Sequence, residues 1–188
     1  MSDNKKRCSW CGDDPLYQDY HDNEWGIPEY DDAKLFELLL LEGAQAGLSW
    51  ITILKKRENY RKAFDHFDAK KIARYTEKKH QKLLQNEGIV RNKLKVAGFT
   101  KNAKAYLAIL DSGQSFSDFI WQFVDGRTTI NQWESLSQIP VNTPEAEAMS
   151  KALKKAGFTF VGPTICYAFM QAAGLVNDHV VTCDFYNA

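Results

Sequence analysis

Apolar side chains recur at intervals of three and four residues through most of this chain, the spacing that places them on one face of an α-helix. Sustained alternation of apolar and polar residues, which would indicate half-buried strands, does not occur in the sequence. The pattern therefore predicts an all-α protein. The predicted helices cover about residues 33–42, 50–67 in one or two pieces, 77–86, 92–110, 117–124, 144–157 and 164–174, and residues 125–142 are the best candidate for a linker.

Helix start signals support several of these boundaries. Asp31 or Asp32 can cap the first helix and Thr76 the third, because their short side chains accept hydrogen bonds from the first helical turn. Thr143 followed by Pro144 is a stronger signal, with threonine as the cap and proline in the first helical position. Local chemistry therefore sets these three boundaries together with the periodicity.

One predicted helix carries a carboxylate on its apolar face. Glu42 follows Leu35, Leu38 and Leu39 by seven, four and three residues, so the four side chains share one face of a helix with 3.6 residues per turn. A buried carboxylate without a partner costs several kcal/mol. This position therefore predicts either a structural partner for the acid or a cationic ligand.

Two interpretations of Glu42 remain open from the spacing alone. A glycine-bounded turn brings Trp50 close to the same carboxylate, and an acid beside aromatic rings suits a cationic or amine-bearing ring. Alternatively, Glu42 lies at a fraying helix end, where it is solvated or paired with Lys55 or Lys56. The first interpretation predicts a binding site, and the second predicts only a surface ion pair.

Composition is that of an ordinary soluble protein with one domain or two small lobes. The chain has 188 residues, of which 44% are hydrophobic and 26% are charged. No apolar run approaches the ~18 residues of a membrane span, and the N-terminus leads into no hydrophobic signal segment. We therefore expect a cytoplasmic protein without a membrane partner, whose four cysteines are reduced thiols or metal ligands.

The net charge is zero, but the charges are distributed unevenly along the chain. Residues 11–37 contain nine acids and one base, whereas residues 88–110 contain five bases and no acid. A local basic run can contact phosphate while the whole protein stays neutral. A solvated helix face is the commoner explanation of such a run and stays open as the alternative.

A short glycine turn lies inside the basic run, between two predicted helices. Gly88 marks this turn, and Arg91, Lys93 and Lys95 surround it. Backbone N–H groups at a turn that leads into a helix can bind an anion such as a DNA phosphate. Helical hairpins with short glycine turns are also common packing units, so the pattern by itself favours packing over DNA binding.

Cysteine and histidine cluster near the two ends of the sequence. Two thiolates and two imidazoles make a good tetrahedral zinc site, and such a site would tie the two terminal segments together. One ligand set is Cys8, Cys11, His179 and Cys183, and the other replaces Cys11 with His21. The spacing of Cys8 and Cys11 favours the first set, and unrelated buried cysteines remain the alternative to both.

Aromatic residues crowd the acidic N-terminal segment. Trp10, Tyr17, Tyr20 and Trp25 all lie there, and the two tyrosines would line one side of a pocket if their segment is helical. Aromatic faces stack on flat bases and attract cations. Packing of the N-terminal arm is the alternative, and for Trp25 we favour it.

Together, these motifs resemble the 3-methyladenine DNA glycosylase I family over about residues 7–183. The resemblance rests on Cys8-Ser9-Trp10, Asp14-Pro15-Leu16-Tyr17, Tyr20-His21-Asp22-Asn23-Glu24-Trp25-Gly26, Leu41-Glu42-Gly43, Gln45-Ala46-Gly47-Leu48-Ser49-Trp50, Lys55-Lys56-Arg57 and Asn177-Asp178-His179. It implies a zinc-containing helix-hairpin-helix DNA glycosylase fold, with a zinc site joining the N- and C-terminal segments. It further implies hydrolysis of the N-glycosidic bond of 3-methyladenine in alkylated double-stranded DNA, by way of a flipped nucleotide.

The resemblance also implies the metal and base-binding residues. For one structural zinc ion it implies the second ligand set, Cys8, His21, His179 and Cys183, because the family pattern requires no cysteine at position 11. Glu42 matches the acid of the base pocket and is the candidate catalytic residue. The implied substrate-binding aromatics are Trp10, Tyr17, Tyr20 and Trp50.

For DNA contact, the resemblance implies Leu48 as the residue that fills the gap left by the flipped base. The DNA-anchoring hairpin matches residues 87–93, with Gly88, Arg91 and Lys93 as its candidate contacts. The implied organisation is a single glycosylase unit over residues 1–188 with two small helical lobes. One lobe holds the termini and the zinc site, and the other is the hairpin lobe of about residues 50–125. We expect a monomer that acts on duplex DNA and releases 3-methyladenine.

Two other classes of function fit individual motifs less well. A catalytic zinc hydrolase needs an open metal position, which four protein ligands do not leave. A DNA-binding module without enzymatic activity would not need an acid on an apolar face beside Trp50. No lysine is expected beside the pocket as a Schiff-base nucleophile, so the sequence predicts base removal without strand cleavage.

Overall fold

Helices form nearly all the regular structure of residues 4–186, which are the residues that this computed structural model describes. The prediction of a mostly helical protein is therefore confirmed. The α-helices are α1 Pro15–Asn23, α2 Asp32–Gln45, α3 Trp50–Ala63, α4 Ala69–Ile72, α5 Glu77–Leu83, α6 Lys93–Asp111, α7 Phe116–Trp121, α8 Pro144–Lys155 and α9 Pro163–Ala172, and the strands are β1 Thr129–Ile130 and β2 Val176–Asn177. Within the described residues, no helix is long and apolar enough to cross a bilayer.

The predicted helix caps are confirmed. Asp31 accepts a hydrogen bond from the Lys34 N–H group at 2.9 Å, and Thr76 and Thr143 cap α5 and α8 in the same way. The end of α2 differs from the prediction, because the helix continues past Gly43 to Gln45. Gly43 lies inside the helix and against Phe160: a β-carbon at this position would lie 3.1 Å from Cβ of Phe160, so glycine permits a closer approach than a larger residue would without a shift.

Residues 125–142 pack against the C-terminal segment and do not form a free linker. Within them, β1 pairs in parallel with β2, with Thr129 opposite Val176. The side chains of Asn131 and Trp133 both donate hydrogen bonds of 2.7 Å to the buried carboxylate of Asp178. Composition suggested a linker here, but these long-range bonds fix the segment over one side of the fold.

The main core is one continuous cluster of buried side chains. It includes Leu39 of α2, Ile53 of α3, Phe99 of α6 and Phe169 of α9, so it draws on both of the predicted lobes. A second, small cluster contains Cys8, Val180 and Cys183, which come from the two terminal segments. The packing of α2 against α3, α6 and α9 places this helix at the centre of the protein.

Candidate active site

A cavity of about 420 Å³ opens beside the C-terminal half of α2. Aromatic rings form much of its wall, and Glu42 is the acidic residue that lines it. Its other walls come from α1, the start of α3, α9 and the segment after residue 135. The lining residues are Trp10, Tyr17, Tyr20, Trp25, Glu42, Gln45, Trp50, Leu136, Ile139, Pro140, Val141, Thr164, Tyr167, Ala168 and Gln171.

Glu42 is buried at this cavity, with only 4% of its surface exposed. Among residues 4–186, no hydrogen bond or ion pair reaches its carboxyl group, and burial raises its pKa to about 8. The surface ion pair considered from the sequence does not form. Lys55 instead pairs with Asp14 at 2.7 Å, and Lys56 donates to the Glu87 carbonyl at 3.1 Å. The acid is therefore held in an apolar site without a protein cation.

The four predicted pocket aromatics meet around this acid. The ring centroids of Tyr20 and Trp50 are 5.4 Å apart, and those of Trp10 and Tyr17 are 5.0 Å apart. Burial raises the pKa of both tyrosines, and the negative charge of Glu42 raises each further. Their segment is helical, which the pocket interpretation required: both tyrosines lie in α1, a helix that was not predicted from the sequence, and share the face toward the cavity.

Two indole N–H groups at this cavity have no hydrogen-bond acceptor in the described part of the chain. They belong to Trp10 and Trp50, and both nitrogens are buried. A buried donor without a partner costs about 1–3 kcal/mol, so such groups are rare unless a ligand or water satisfies them. Trp25, which we expected to be a packing residue, is buried and packs with its ring 5.0 Å from Trp10.

Some residues that line the cavity were not predicted as site residues from the sequence. Ile139, Pro140 and Val141 reach it from the segment that composition marked as a linker, and no sequence pattern indicated this. Tyr167 and Gln171 line it from α9. Their spacing of four residues places two polar side chains on one face of an otherwise apolar helix, which was a usable signal.

Four candidate metal ligands from the two ends of the chain come together. The ligand atoms of Cys8, His21, His179 and Cys183 all lie within 4.8 Å of one another, and all four residues are buried. The sulfur of Cys183 is 3.6 Å from Nε2 of His21 and 3.5 Å from Nδ1 of His179. This group could bind a metal ion. Cys11 lies outside it, with its sulfur directed to the Cys8 carbonyl at 3.2 Å.

The second nitrogen of each histidine ring has a partner that fixes the ring. Nδ1 of His21 lies 2.8 Å from a carboxylate oxygen of Asp22, and Nε2 of His179 lies 3.2 Å from the Trp25 carbonyl. Each of these acceptors favours the tautomer in which that ring nitrogen carries the proton and donates it in a hydrogen bond, so the nitrogen that faces the cysteines keeps its lone pair. Arg7 holds Asp22 in turn with hydrogen bonds of 2.6–3.0 Å. This outer shell suits a pair of metal-binding imidazoles.

The predicted gap-filling residue stands at the rim of the site. Leu48 follows α2 in the turn that contains Gly47, and 41% of its surface is exposed. It borders a shallow hollow next to the cavity, and Glu42, Gln45 and Thr164 line the same hollow. Leu48 is therefore an exposed apolar side chain beside the cavity, and its gap-filling role stays a prediction.

In the hairpin between α5 and α6, the N–H group of Gly88 is not available to bind an anion, as the sequence had suggested it could be. The N–H group of Gly88 already donates to the Asn86 side chain at 2.8 Å. In residues 4–186, the N–H groups of Arg91, Lys93 and Leu94 have no acceptor, and all three residues are exposed. These groups, at the start of α6, are the anion-binding candidates of the hairpin.

Gly88 serves the packing of this hairpin. A β-carbon at this position would approach the side chain of Asn59 in α3 to 3.0 Å, so the glycine lets the turn lie against that helix. Lys95 also differs from its predicted place around the turn, because its side chain is buried and directed toward α2. The exposed basic side chains of the turn are therefore those of Arg91 and Lys93.

The fold is similar to solved structures of DNA glycosylases. The fold matches a crystal structure of 3-methyladenine DNA glycosylase I with a TM-score of 0.94 and 57% identity, covering 95% of this chain and 98% of the other. It also matches the Staphylococcus aureus 3-methyladenine DNA glycosylase I, solved for its recognition of 3-methyladenine, with a TM-score of 0.93 and 39% identity over 96% of each chain.

Sequence comparison identifies the family. The methyladenine glycosylase family matches residues 10–187. DNA-3-methyladenine glycosylase 1 of Escherichia coli (strain K12) is 55% identical over 181 residues, which cover 96% of this chain and 97% of that protein. This chain therefore belongs to the methyladenine glycosylase family.

Proposed function

We propose that this protein is a monofunctional DNA glycosylase of base excision repair that hydrolyses the N-glycosidic bond of 3-methyladenine in alkylated double-stranded DNA. The observation that carries the proposal is Glu42, an acid that is buried in an aromatic cavity and has no hydrogen-bond or ion-pair partner among residues 4–186. The proposal agrees with the names of the relatives, which are 3-methyladenine glycosylases. The product is free 3-methyladenine and an abasic site.

Charge explains why this cavity selects the methylated base. Methylation at N3 makes adenine cationic within DNA and weakens the bond between its N9 and the sugar C1′. Burial opposes the deprotonation of Glu42, whereas a cationic base beside it favours the ionised carboxylate. An ion pair with Glu42 is therefore available only to a positively charged base. Normal adenine brings no charge and keeps a stable bond, so it is spared even when it enters the cavity.

The aromatic side chains hold the base while the bond breaks. Trp50 and Trp10 lie against the base, where each ring either stacks on it or, from its edge, donates its indole N–H group, which has no acceptor in residues 4–186, to a base acceptor. Tyr20 hydrogen-bonds at its methylated edge, and Tyr17 shapes the wall. When the C1′–N9 bond breaks, its electron pair neutralises the departing base. Water then adds its oxygen to C1′ and releases a proton.

The reaction ends with base removal and leaves the DNA strand intact. A second activity, cleavage of the strand, requires an amine that attacks C1′ and forms a Schiff base. No lysine is among the described residues that line the cavity. Glu42 contacts the base that leaves in the reaction, and we therefore assign it as the catalytic residue of this hydrolysis.

DNA is held at two places beside the cavity. Leu48 enters the stack where the flipped nucleotide has left a gap, and its exposed position at the rim supports this role. The hairpin that contains Gly88 anchors a phosphate through Arg91, Lys93 and the free N–H groups at the start of α6. We assign the protein to the helix-hairpin-helix glycosylases on this basis, as a cytoplasmic monomer with two helical lobes over residues 1–188.

One zinc ion at the Cys8, His21, His179 and Cys183 group completes the proposed structure. In a tetrahedral zinc site, sulfur and nitrogen ligands are about 3.6 Å apart, which agrees with separations of 3.5–3.6 Å here. Burial raises the pKa of the Cys8 thiol to about 12, and a zinc ion would offset that cost of the thiolate. With four protein ligands the ion is structural, and it links the two terminal segments.

Chromatography of the bases released from methylated DNA tests the function. Purified protein should release 3-methyladenine and leave 7-methylguanine in the DNA, and the DNA should be cut only after alkali. Glu42→Gln keeps the size of the side chain and should greatly reduce release. No release by the folded, zinc-replete protein would refute the glycosylase, and normal release by Glu42→Gln would refute the role of this acid.

A further inference from the structure

Lys95 is a buried lysine on the far side of the turn that carries Leu48. It lies in the first turn of α6, only 9% of its surface is exposed, and its ammonium group donates two hydrogen bonds across to the end of α2. The acceptors are the backbone carbonyls of Ala44 at 2.8 Å and Ala46 at 2.6 Å. No carboxylate is involved, so this lysine is used to organise backbone.

The two carbonyl groups belong to a helix end. The last carbonyls of an α-helix have no partner within the helix, and the helix dipole places negative charge there. Ala46 leaves the helical conformation with ψ of 117°, and the chain turns through Gly47 at φ of 81° to reach Leu48. By binding on both sides of Gln45, the ammonium group fixes the direction in which the chain leaves α2.

The same lysine is tied to the hairpin through its backbone. Its N–H group donates to the Asn92 side chain, which caps α6, at 3.0 Å. Arg91 and Lys93 stand on either side of Asn92, with exposed side chains. Lys95 thus connects two features of the protein. Its backbone belongs to the proposed phosphate anchor, and its side chain is hydrogen-bonded to the turn that carries Leu48.

We propose that Lys95 is a positioning residue, which holds the turn after α2 so that Leu48 enters the base stack in register with the hairpin. This inference rests on the proposed function, because it concerns how the glycosylase opens duplex DNA. Lys95 does not contact the base, since it is not among the residues that line the cavity. Its buried ammonium group is also turned away from any phosphate at the surface of the hairpin.

The role has a signature that a purely stabilising lysine would not produce. Leu48 is needed where neighbouring bases must be kept apart after the nucleotide flips, which is the case in a duplex. In a single strand the target base is already unstacked, so little is lost when Leu48 is misplaced. Loss of Lys95 should therefore slow the reaction on duplex DNA and leave the reaction on single strands nearly unchanged.

Lys95→Met tests this, because methionine keeps much of the stem and removes the ammonium group. One oligonucleotide strand is methylated and assayed alone or after annealing, and single-turnover release of 3-methyladenine is measured. We expect the rate on the duplex to fall about tenfold or more, as for the loss of charge-assisted hydrogen bonds, and the rate on the single strand to change less than about twofold. Lys104→Met, on the exposed side of α6, is the matched control and should change neither rate.

A double-mutant cycle with Leu48→Ala gives a second measure. If Lys95 acts through Leu48, the two substitutions together should slow the duplex reaction little more than Leu48→Ala alone. Additive losses, or equal losses on duplex and single strands, would overturn the positioning role. If Lys95→Met does not fold, Lys95→Gln, which keeps a shorter donor, enters the same cycle under the same criteria.

These outcomes separate this inference from the function on which it rests. No release by the wild-type protein from either substrate would overturn the glycosylase itself and the role of Lys95 with it. If the wild-type protein releases the base and Lys95→Met releases it from the duplex at the same rate, the role of Lys95 alone would be overturned.

Discussion

Tyr167 donates its phenolic hydrogen to Asp178 across 2.5 Å, and this bond joins the wall of the cavity to the residue beside His179. Gln171, which also lines the cavity, donates to the same carboxylate oxygen at 2.8 Å. The other oxygen receives the hydrogen bonds from Asn131 and Trp133. One buried carboxylate therefore organises α9, the segment after β1 and the approach to the metal-ligand group.

Asp178→Asn should destabilise the protein, because an amide presents an N–H₂ group where the carboxylate accepted hydrogen bonds from two donors. We expect the free energy of unfolding to fall by about 1.5–3 kcal/mol in urea denaturation. Asp111→Asn, at the exposed end of α6, should change it by less than about 0.5 kcal/mol. Equal stabilities of the two variants would show that the Asp178 bonds contribute nothing.

Glu42 should make the protein less stable as the pH rises. The folded pKa of about 8 lies above the usual value of 4.5, so the folded state holds the proton more tightly, and its advantage is lost as pH rises between these values. Glu42→Gln removes this dependence and should be more stable than the wild type at pH 8, by up to about 4 kcal/mol. The two proteins should converge near pH 4.5 in thermal denaturation, and parallel curves would contradict a buried, partnerless acid.

Trp50→Phe should separate binding from stability. The indole N–H group has no acceptor in the described structure, so its removal relieves a burial cost that offsets the smaller buried ring of phenylalanine, and the free energy of unfolding should change by less than about 1 kcal/mol. Binding of free 3-methyladenine, measured by calorimetry, should weaken about tenfold if this group donates to the base. Loss of stability without loss of affinity would instead assign the indole to packing.

The metal prediction distinguishes the two cysteines of the N-terminal segment. Elemental analysis of the purified protein should find about one zinc per chain, and Cys8→Ser should abolish it, because Cys8 lies in the four-ligand group. Cys11→Ser should keep the zinc, since the sulfur of Cys11 lies outside this group. A chelator should lower the melting temperature of the wild type and of Cys11→Ser alike, and zinc retained in Cys8→Ser would rule out the assignment.

The hairpin prediction concerns salt. Arg91→Ala and Lys93→Ala should each weaken binding to duplex DNA and reduce the slope of log Kd against log salt by about 1, because each removes one phosphate contact. Binding of free 3-methyladenine should be unaffected, since neither side chain lines the cavity. Lys104→Ala serves as the control, and a slope that is unchanged in all three variants would remove the hairpin from the DNA interface.

The sequence predicted what local periodicity determines. Helical spacing with Leu35 and Leu39 put Glu42 on an apolar face and made its burial one of two open interpretations, and the facing of Tyr17 and Tyr20 was expected only if their segment was helical. These features depend on residues within one element. Periodicity could not show that Gly43 stays inside α2, because Phe160, which packs against it, comes from a distant loop.

The burial of Lys95 was not predicted from the sequence. In the sequence it is one of five bases in an acid-free run, and it was grouped with Arg91 and Lys93 around the turn. Its spacing of four from Phe99 and eleven from Tyr106 already placed it on the buried face of α6, but charge outweighed this signal. The choice between Cys11 and His21 was similar, since ligand spacing along the chain does not show which atoms meet in space.

Formation of the cavity depends on the contact between the Cys and His ligands from the two ends of the chain. Cys8 and His179 are 171 positions apart, so their contact cannot form until nearly all of the intervening chain has been synthesised. Trp10 and Trp25, two walls of the cavity, lie against the rings of His21 and His179 at 5.2 and 4.8 Å. The base pocket therefore depends on contact between the two ends of the chain, and a chain shortened before His179 lacks part of the support for these two walls.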